Sequence, residues 1–276
     1  MFGTIICLTI LCSFTFGLKK EKIEPLANVN DYPIYGRDKS INEYYRDNFL
    51  DERQQIVYDN FLEALLQFKP RFYVGVEKLS SNELENICCY LKADHPEIFW
   101  FETYTLIEIG SKVFTSFNII IHYRYDKDEA IEKHNIIKAK YEPIIEQAKK
   151  CTTDRKKVDF VKDKLEEISN ACYPSSDELD DFCCMVSIFE NGKSFCSGYA
   201  YSFKFIMDRL GIKAICVFYN GPDAHIWNMV MLNNNWYNLD ITYDKVLKNA
   251  PKDKYYLVDN DTFYKDHHIN EYMPNL

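Results

Sequence analysis

The chain has 276 residues, of which 47% are hydrophobic, 16% aromatic and 27% charged, and its formal net charge at pH 7 is −9. This composition is globular, and the length suits one large domain or two modest ones. The acidic balance argues against nucleic acid as the main partner, because phosphate recognition needs a basic surface.

The first 17 residues contain no charged side chain. This run is shorter than the ~20 apolar residues that span a bilayer, and Thr15 and Gly17 occupy the positions of a cleavage site. We therefore predict a signal peptide over 1–17 and a secreted chain without stable membrane insertion; a buried first helix is the alternative. A polar leader over 18–45 is expected to wrap the fold or stay mobile, and whether it acts as a pro-segment is left open.

Residues 46–150 are predicted to form an N-terminal α+β region. Apolar residues at helical spacing predict a helix over 51–67 that ends before Pro70, and a longer helix over 127–149. Runs of β-branched and aromatic residues predict strands between these helices. The predicted strands cover 72–78, 103–109 and 113–125, the last two forming a hairpin around Gly110 and Ser111, and a capped helix starts near Ser81.

Residues 151–276 hold the residues of chemical interest, either as a separate domain or as part of one larger domain. A helix is predicted at about 154–169, with Asp154 as its N-cap. Eight cysteines lie beyond the predicted signal peptide without zinc-ligand spacing. The adjacent His267 and His268 project in different directions and have no cysteine or carboxylate cluster beside them. No metal or cofactor is therefore predicted.

Cys196 is placed at the start of a helix. Apolar residues such as Tyr199 and Phe203 follow it at spacings of three and four, and Gly211 stands where a left-handed residue ends a helix. The unpaired N–H groups of a first helical turn favour a thiolate and can hold a developing oxyanion. Gly198 is expected to let a substrate backbone approach closely.

The pattern further along predicts a β-hairpin that carries His225 and Asp240. If Asn233 and Asn234 form a two-residue loop, His225 faces Thr242, and Asp240 lies two residues away on the same face. Such diagonal neighbours are about 7–8 Å apart at the backbone, within reach of an imidazole. A three-residue loop without a bulge would instead put Asp240 on the opposite face.

A cysteine, a histidine and an aspartate in this order suit nucleophilic acyl transfer. The thiolate attacks a carbonyl, the imidazolium protonates the leaving amine, and the carboxylate fixes the imidazole tautomer. On spacing alone, a chance coincidence of the three residues stays open.

Three motifs strengthen this interpretation. The stretches "GKSFCSGYA", "HIWNMV" and "WYNLDITYD" resemble the transglutaminase-like (papain-like cysteine) superfamily, and in particular its secreted microbial members. The resemblance covers about residues 150–276, where a transglutaminase-like catalytic core over 151–276 is expected. It implies an α+β, papain-like fold preceded by a helical and β N-terminal portion. The stretch "YYLVDNDTFYKDHH" is similar to the family's closing strand and histidine-containing segment.

The resemblance implies a role for individual residues. Cys196 matches the nucleophile, His225 the general acid/base and Asp240 the orienting carboxylate, while Trp227 and Asn228 match the aromatic residue and the amide that follow the histidine. Animal transglutaminases have Gly-Gln-Cys-Trp where this chain has Ser-Phe-Cys-Ser. This departure puts cross-linking by the animal mechanism in doubt.

Structural interpretations compete with these functional ones. Trp227 is expected to be a core aromatic residue of the hairpin, and Asn228 to satisfy a local backbone group, although both are possible substrate or support residues. Helical period places Tyr199 inward and Tyr201 outward, so only Tyr201 is expected to face a cleft.

The sequence therefore predicts a secreted cysteine enzyme that acts on peptide or protein substrates without a cofactor. Hydrolysis by a peptidase or amidase is favoured, because no feature that recruits a lysine amine is visible. The alternatives are a protein-crosslinking transglutaminase, a non-catalytic binding or adhesion module, and a structural protein of the cell wall or matrix, which would carry repeats that this sequence lacks.

Overall fold

The computed structural model describes residues 22–38, 40–76, 79–111, 114–172, 184–219, 221–222, 224–246, 251 and 253–268. The predicted signal peptide over 1–17 lies outside these residues. None of the described helices is long and apolar enough to cross a membrane.

The described residues divide into two compact units. Unit 1 contains the residues up to 38, Glu43–Lys92 and Ile98–Glu132; unit 2 contains Ser40–Asn42, Ala93–Glu97 and the residues from Lys133 onward. The predicted division into 46–150 and 151–276 stays a prediction.

Unit 1 consists of helices and one antiparallel sheet. Its elements are α1 (Tyr44–Phe49), α2 (Glu52–Leu66), β1 (Arg71–Gly75), most of α3 (Ser81–Asp94), β2 (Phe101–Ser111), β3 (Phe114–Tyr123) and the first turn of α4 (Lys127–Ala148). The sheet has the strand order β1-β3-β2, with both pairs antiparallel. The predicted helices and strands of this region are thus present. The predicted hairpin turn is wrong, because Gly110 and Ser111 are still paired within β2.

Helix α2 supplies much of the core of unit 1. Asp51 caps it in a capping box with Gln54, which satisfies two backbone donors of the first turn. Its buried Phe61 packs against Phe72 and Phe101 of the sheet, at ring centroid distances of 5.1 and 5.2 Å. The apolar stripe of α2 therefore covers one face of the sheet.

The described part of the polar leader is bound to the same helix. Asn60 accepts the N–H of Ile23 at 2.8 Å, and the Tyr32 hydroxyl donates to Glu63 at 2.6 Å. The carbonyl of Glu24 accepts from Gln67, just beyond the end of α2. The first described part of the leader, 22–38, thus runs along α2 within unit 1.

Unit 2 combines helices with a short parallel strand pair and a four-stranded sheet. After α4 come α5 (Asp154–Ile168), β4 (Asn170–Ala171), α6 (Val186–Asn191), β5 (Lys193–Ser194), α7 (Cys196–Arg209), β6 (Ala214–Tyr219), β7 (His225–Leu232), β8 (Asn235–Leu239), α8 (Ile241–Val246), β9 (Tyr256–Val258) and α9 (Asn260–Phe263). Strands β4 and β5 form a short parallel pair, and the four-stranded antiparallel sheet has the order β6-β7-β8-β9. Helix α7 packs against β6 and β7. The predicted α+β fold class is confirmed.

The cap predicted for α5 is wrong by one residue. Thr153, in extended conformation, is the N-cap, and its hydroxyl accepts the N–H of Lys156. Asp154 is the first helical residue. There its charge still favours the helix N-terminus, but it does not supply the capping bond.

The hairpin register is the predicted one. Leu232 pairs with Asn235 and Asn228 with Leu239, so Asn233 and Asn234 form a two-residue loop. Both loop residues have left-handed backbones, with φ of 51° and 63°. Asparagine tolerates this conformation better than most residues, and turns of this kind match the twist of the flanking strands.

A buried ion pair lies on the inner face of α7. Lys204 is fully buried, and its ammonium lies 2.5 Å from Asp208 Oδ2, one turn along the helix. Burial alone would lower the pKa of Lys204, but the charges of Asp208 and Asp94 outweigh it and raise that pKa. A buried charge of this kind is tolerated only with its partner in place.

Lys204→Met is expected to lower the free energy of unfolding by about 3–5 kcal/mol, because it leaves the Asp208 carboxylate buried without its cation. The double variant with Asp208→Leu should recover most of this loss. Urea denaturation of both measures the effect, with Lys213→Met, at an exposed lysine, as the matched control. Equal stability of Lys204→Met and the control would contradict the assignment.

Candidate active site

Cys196 is the first residue of α7, as predicted. Phe195 precedes it in extended conformation, with φ −117° and ψ −163°, and Tyr199 is the first residue whose N–H bonds back, to the carbonyl of Phe195. The N–H groups of the first turn therefore have no intrahelical partner, and they favour negative charge beside them. At its far end the helix is closed by Gly211, with φ 69°.

The environment of Cys196 differs from that of the buried cysteines. Cys196 is half-buried, whereas Cys88 and Cys216 are buried, and burial raises the pKa of both of their thiols. A buried thiol in apolar surroundings is chemically inert. Among the described cysteines, Cys196 combines partial exposure with a helix N-terminus and a histidine neighbour.

His225 is the first residue of β7 and lies between Cys196 and Asp240. Its Nε2 is 2.5 Å from Asp240 Oδ2, and Cys196 is close enough to the ring to raise its pKa. Because Asp240 occupies Nε2, the nitrogen left for the thiol is Nδ1. The ring stacks on Tyr243, with centroids 4.4 Å apart and planes 28° apart. This contact fixes the plane of the imidazole.

Asp240 is buried at the end of β8 and accepts three hydrogen bonds. Oδ2 faces His225 at 2.5 Å and His267 Nε2 at 3.0 Å, while Oδ1 accepts the N–H of Tyr243 at 3.0 Å. Its own N–H donates to the carbonyl of Tyr255. Burial alone would raise the pKa of Asp240, but the hydrogen bonds from His225 and His267 outweigh it and lower that pKa.

The charge of Asp240 acts on His225 in turn. Burial alone would lower the pKa of His225, but the hydrogen bonds and charges of Asp240 and Cys196 raise it to about 10. At neutral pH the ring is therefore an imidazolium bound to the Asp240 carboxylate. A raised folded-state pKa stabilises the fold fully below the unfolded value of about 6.5, and this contribution is lost as the pH rises towards 10.

The predicted pairing of His225 with Thr242 is wrong, although the predicted approach of His225 to Asp240 is right. Strand β8 ends at Leu239, and Thr242 lies in α8. The strand ends there because Asp240 Oδ1 accepts the N–H of Tyr243, three residues on, as an N-cap does. Asp240 thus turns the chain from strand to helix.

The space predicted at Gly198 for a substrate is not there. A Cβ at Gly198 would lie 1.8 Å from Ser194 Oγ and 2.8 Å from Ser187 Oγ. The two serines are hydrogen-bonded to each other at 2.7 Å. Glycine is therefore required so that the first turn of α7 can pack against β5 and α6, and this packing sets the position of Cys196.

Trp227 and Asn228 are buried supports of β7. The indole N–H of Trp227 donates to Asn238 at 3.1 Å. The side-chain amide of Asn228 donates to the carbonyls of Ala200 at 3.0 Å and Ile215 at 3.2 Å. Asn228 therefore joins β7 to α7 one turn beyond Cys196, and this bond holds the strand of His225 against the helix of the cysteine.

Tyr199 and Tyr201 take the predicted orientations. Tyr199 is 1% exposed, whereas Tyr201 is half-buried. Burial raises the pKa of Tyr199 to about 12. Tyr201 stays a candidate for contact with substrate.

His267 is a site residue that the sequence analysis missed. It lies 27 positions after Asp240 in sequence, beyond β9 and α9, and its place beside the carboxylate depends on the return of the chain to the sheet. His267 has no partner in the sequence analysis, whereas its Nε2 lies 3.0 Å from one carboxylate, Asp240. The one signal was the similarity of "YYLVDNDTFYKDHH" to a histidine-containing closing segment.

The two histidines and Asp240 also offer a metal-ligand set. One ligand atom from each of His225, Asp240 and His267 lies within 4.8 Å of the others. Ligand atoms around a tetrahedral zinc ion, with bonds of about 2.0–2.1 Å, are about 3.3 Å apart. The 2.5 Å between His225 Nε2 and Asp240 Oδ2 is instead a hydrogen-bond distance. The geometry thus favours a proton between these groups.

Comparison with protein families finds a match over the segment that contains this site. The model of the transglutaminase-like superfamily matches residues 143–241, the segment that contains Cys196, His225 and Asp240. Residues 143–241 therefore match a transglutaminase-like core, consistent with the α+β, papain-like fold, and the resemblance seen in the sequence is confirmed. No curated protein matches the chain.

Several solved structures are similar to the chain at low identity. One is a TGase, at 14% identity and a TM-score of 0.36, covering 66% of this chain and 52% of that chain. Another is the periplasmic domain of TgpA from Pseudomonas aeruginosa bound to ethylmercury, at 16% identity and a TM-score of 0.29. That match covers 49% of this chain and 58% of that chain. A third is a candidate cysteine protease from Cytophaga hutchinsonii, at 13% identity and a TM-score of 0.30. That match covers 51% of this chain and 62% of that chain. The chain spans about half to three fifths of the length of these structures.

Gly198→Ala is expected to displace the start of α7, because the new methyl group meets Ser194 Oγ at 1.8 Å. Overpacking of this kind costs about 1–3 kcal/mol. Thermal denaturation measures the loss of stability, and iodoacetamide labelling of Cys196 measures the displacement.

Adding Ser194→Gly to this variant removes the Ser194 side-chain atoms that the new methyl group would meet. The double variant should therefore recover part of the stability and part of the Cys196 labelling. Wild-type stability and labelling in Gly198→Ala alone would show that the first turn of α7 has room for a substrate after all.

Proposed function

We propose that the protein is a cysteine enzyme that transfers acyl groups from peptide or protein amides through Cys196, His225 and Asp240. The observation that carries this proposal is the arrangement of three side chains: Asp240 is hydrogen-bonded to His225 at 2.5 Å, and His225 lies beside Cys196, the first residue of α7. Location outside the cytoplasm, expected from the predicted signal peptide, belongs to the same proposal.

The first half of the reaction forms a thioester. The Cys196 sulfur attacks the carbonyl carbon of an amide, and the N–H groups of the first turn of α7 stabilise the negative charge that develops on the carbonyl oxygen. The imidazolium of His225 gives its Nδ1 proton to the leaving nitrogen. The C–N bond then breaks, and the acyl group stays on sulfur.

The second half releases the acyl group. His225, now neutral at Nδ1, takes a proton from the acceptor, which attacks the thioester carbonyl. The C–S bond breaks, and the thiolate–imidazolium pair forms again. Asp240 keeps its charge throughout, since its three hydrogen bonds and its position beside His225 hold the carboxylate ionised.

Water is the favoured acceptor. Among the described residues, His225 contacts Asp240, Trp227, Tyr243 and His267. Of these only Asp240 is a carboxylate, and it is already bound to the imidazole, so these contacts supply no further carboxylate to recruit an amine cation. The acyl group is therefore expected to leave as a free carboxylate after hydrolysis of the thioester, with a peptide or isopeptide as substrate.

Two alternatives remain outcomes of the test. A protein-crosslinking transglutaminase would use the same thioester with a lysine amine as acceptor. A binding or adhesion module would keep the fold without an activated thiol.

Iodoacetamide labelling as a function of pH tests the activated thiol, with the modified cysteine located by mass spectrometry. We expect selective labelling of Cys196 below pH 7, because the imidazolium of His225 persists up to a pKa of about 10 and favours the thiolate. His225→Ala removes this cation and should slow labelling at that pH about tenfold or more. Cys89, Cys151 and Cys172, which are also partly exposed, serve as internal controls.

Substrate assays then separate hydrolysis from transfer. Wild-type protein and Cys196→Ala are incubated with a quenched fluorescent peptide library, with and without a biotinylated amine. Release of free carboxylate, unchanged by the amine, supports the proposal; incorporation of the amine would assign a transglutaminase. Labelling of Cys196 only near pH 8.5, as for an ordinary thiol, and unaffected by His225→Ala would overturn the enzyme in favour of the binding module.

A further inference from the structure

His267 is held against Asp240 by a closed set of aromatic rings. Its ring is 5% exposed and stacks on Phe263, with centroids 3.8 Å apart and planes 23° apart. Tyr255 and Trp227 stand edge-on to it at 5.0 and 5.4 Å. These contacts fix the ring so that Nε2 points at Asp240 Oδ2, 3.0 Å away.

The two nitrogens of His267 are in different situations. Nε2 faces the carboxylate, while Nδ1 is buried and has no hydrogen-bond partner within the described part of the chain. A proton on Nδ1 would be a buried donor without an acceptor, which proteins avoid. The geometry therefore places a single proton on Nε2, where it is donated to Asp240.

Hydrophobic packing does not require a histidine at this position. Phe263, Tyr255 and Trp227 surround the ring, and a phenylalanine would fill the same space. What the imidazole adds is one N–H group, which is directed at the carboxylate oxygen shared with His225. The residue thus acts on the site through that N–H.

We propose that His267 is a positioning residue for the reaction, which orients and keeps ionised the Asp240 carboxylate that holds His225 against Cys196. This inference rests on the proposed function. With Tyr243 N–H on Oδ1 and His267 on Oδ2, the carboxylate has no freedom to rotate, so Oδ2 stays directed at His225. A hydrogen bond donated to a carboxylate also favours its charged form, which is the form that stabilises the imidazolium of His225.

The charged and titratable groups around His267 are few among the described residues. On α8, Tyr243 stands 4.9 Å from its ring and Asp244 lies close to Asp240. In the segments before and after β9, Tyr255 packs on the ring, and the adjacent Asp266 is bound to Lys254. The remaining groups are Asp240 and His225 themselves.

Two variants without the N–H test the proposal. His267→Phe and His267→Met keep an apolar side chain in the ring cluster, His267→Gln offers an amide N–H in place of Nε2–H, and His268→Phe, at the exposed neighbour, is the matched control. Two quantities are measured in each: the carboxyl pKa of Asp240 by carbon-13 NMR, assigned from the Asp240→Asn spectrum, and the pH dependence of Cys196 labelling by iodoacetamide.

In the Phe and Met variants we expect the Asp240 titration to move up by about one pH unit, since each hydrogen bond to a carboxylate stabilises its charged form by roughly that much. The acidic end of the Cys196 labelling profile should move up as well. His267→Gln should return both towards wild type, and His268→Phe should leave both unchanged.

An unchanged Asp240 titration in folded Phe or Met variants would overturn the proposal, as would a shifted titration with an unchanged labelling profile. If neither variant folds, nitrogen-15 NMR of the wild-type histidines decides: a proton on Nε2 of His267 supports the proposal, and a proton on Nδ1 contradicts it. Failure of the proposed function is distinguishable, because wild-type Cys196 would then show no selective labelling while Asp240 still responds to His267.

Discussion

A carboxylate that is buried and charged needs a hydrogen bond at nearly every lone pair, and Asp240 meets this requirement by joining three parts of the chain. Its Oδ1 caps the start of α8 through Tyr243, and its Oδ2 accepts from His225 on β7 and from His267 after α9. The end of β8, the start of α8 and the orientation of the candidate acid/base therefore depend on one side chain. Loss of its charge would release all three together.

The second constraint is the position of α7 relative to the sheet. Asn228 on β7 donates to the carbonyl of Ala200 in α7, and Gly198 lets the first turn pack directly against Ser194. Both contacts are buried, and both lie within one turn of Cys196. A backbone shift of about 1 Å can cost ~100-fold in rate when it separates reacting groups. These buried packing contacts therefore determine how the Cys196 thiol is placed relative to the His225 imidazole.

Much of this arrangement follows from local sequence signals. The register of the β7–β8 hairpin follows from two asparagines that tolerate left-handed backbones, and it brings His225 and Asp240 to one face. The helix that starts at Cys196 follows from apolar periodicity and from Gly211 at its end. Each signal lies within about 20 residues of the structure that it predicts.

Other features were not predictable from local patterns. His267 reaches Asp240 only through the path of the chain after β8, and an adjacent pair of histidines carries no local sign of such a partner. The start of α8 at Ile241 was hidden because β-branched residues continue the strand pattern beyond Asp240, although the capping bond from Asp240 to the N–H of Tyr243 is itself local. The role of Gly198 depends on Ser194 and Ser187, whose approach is a matter of packing between elements.

The most direct test of the central claim is to measure the ionisation of Cys196 itself by thiolate absorbance in the ultraviolet. The difference between wild type and Cys196→Ser is followed as a function of pH, and the same difference is taken in the Asp240→Asn background. We predict a thiolate signal for Cys196 already at neutral pH, which is lost when Asp240 can no longer hold His225 as an imidazolium. A signal that appears only at the pH of ordinary thiols, and is the same in both backgrounds, would contradict it.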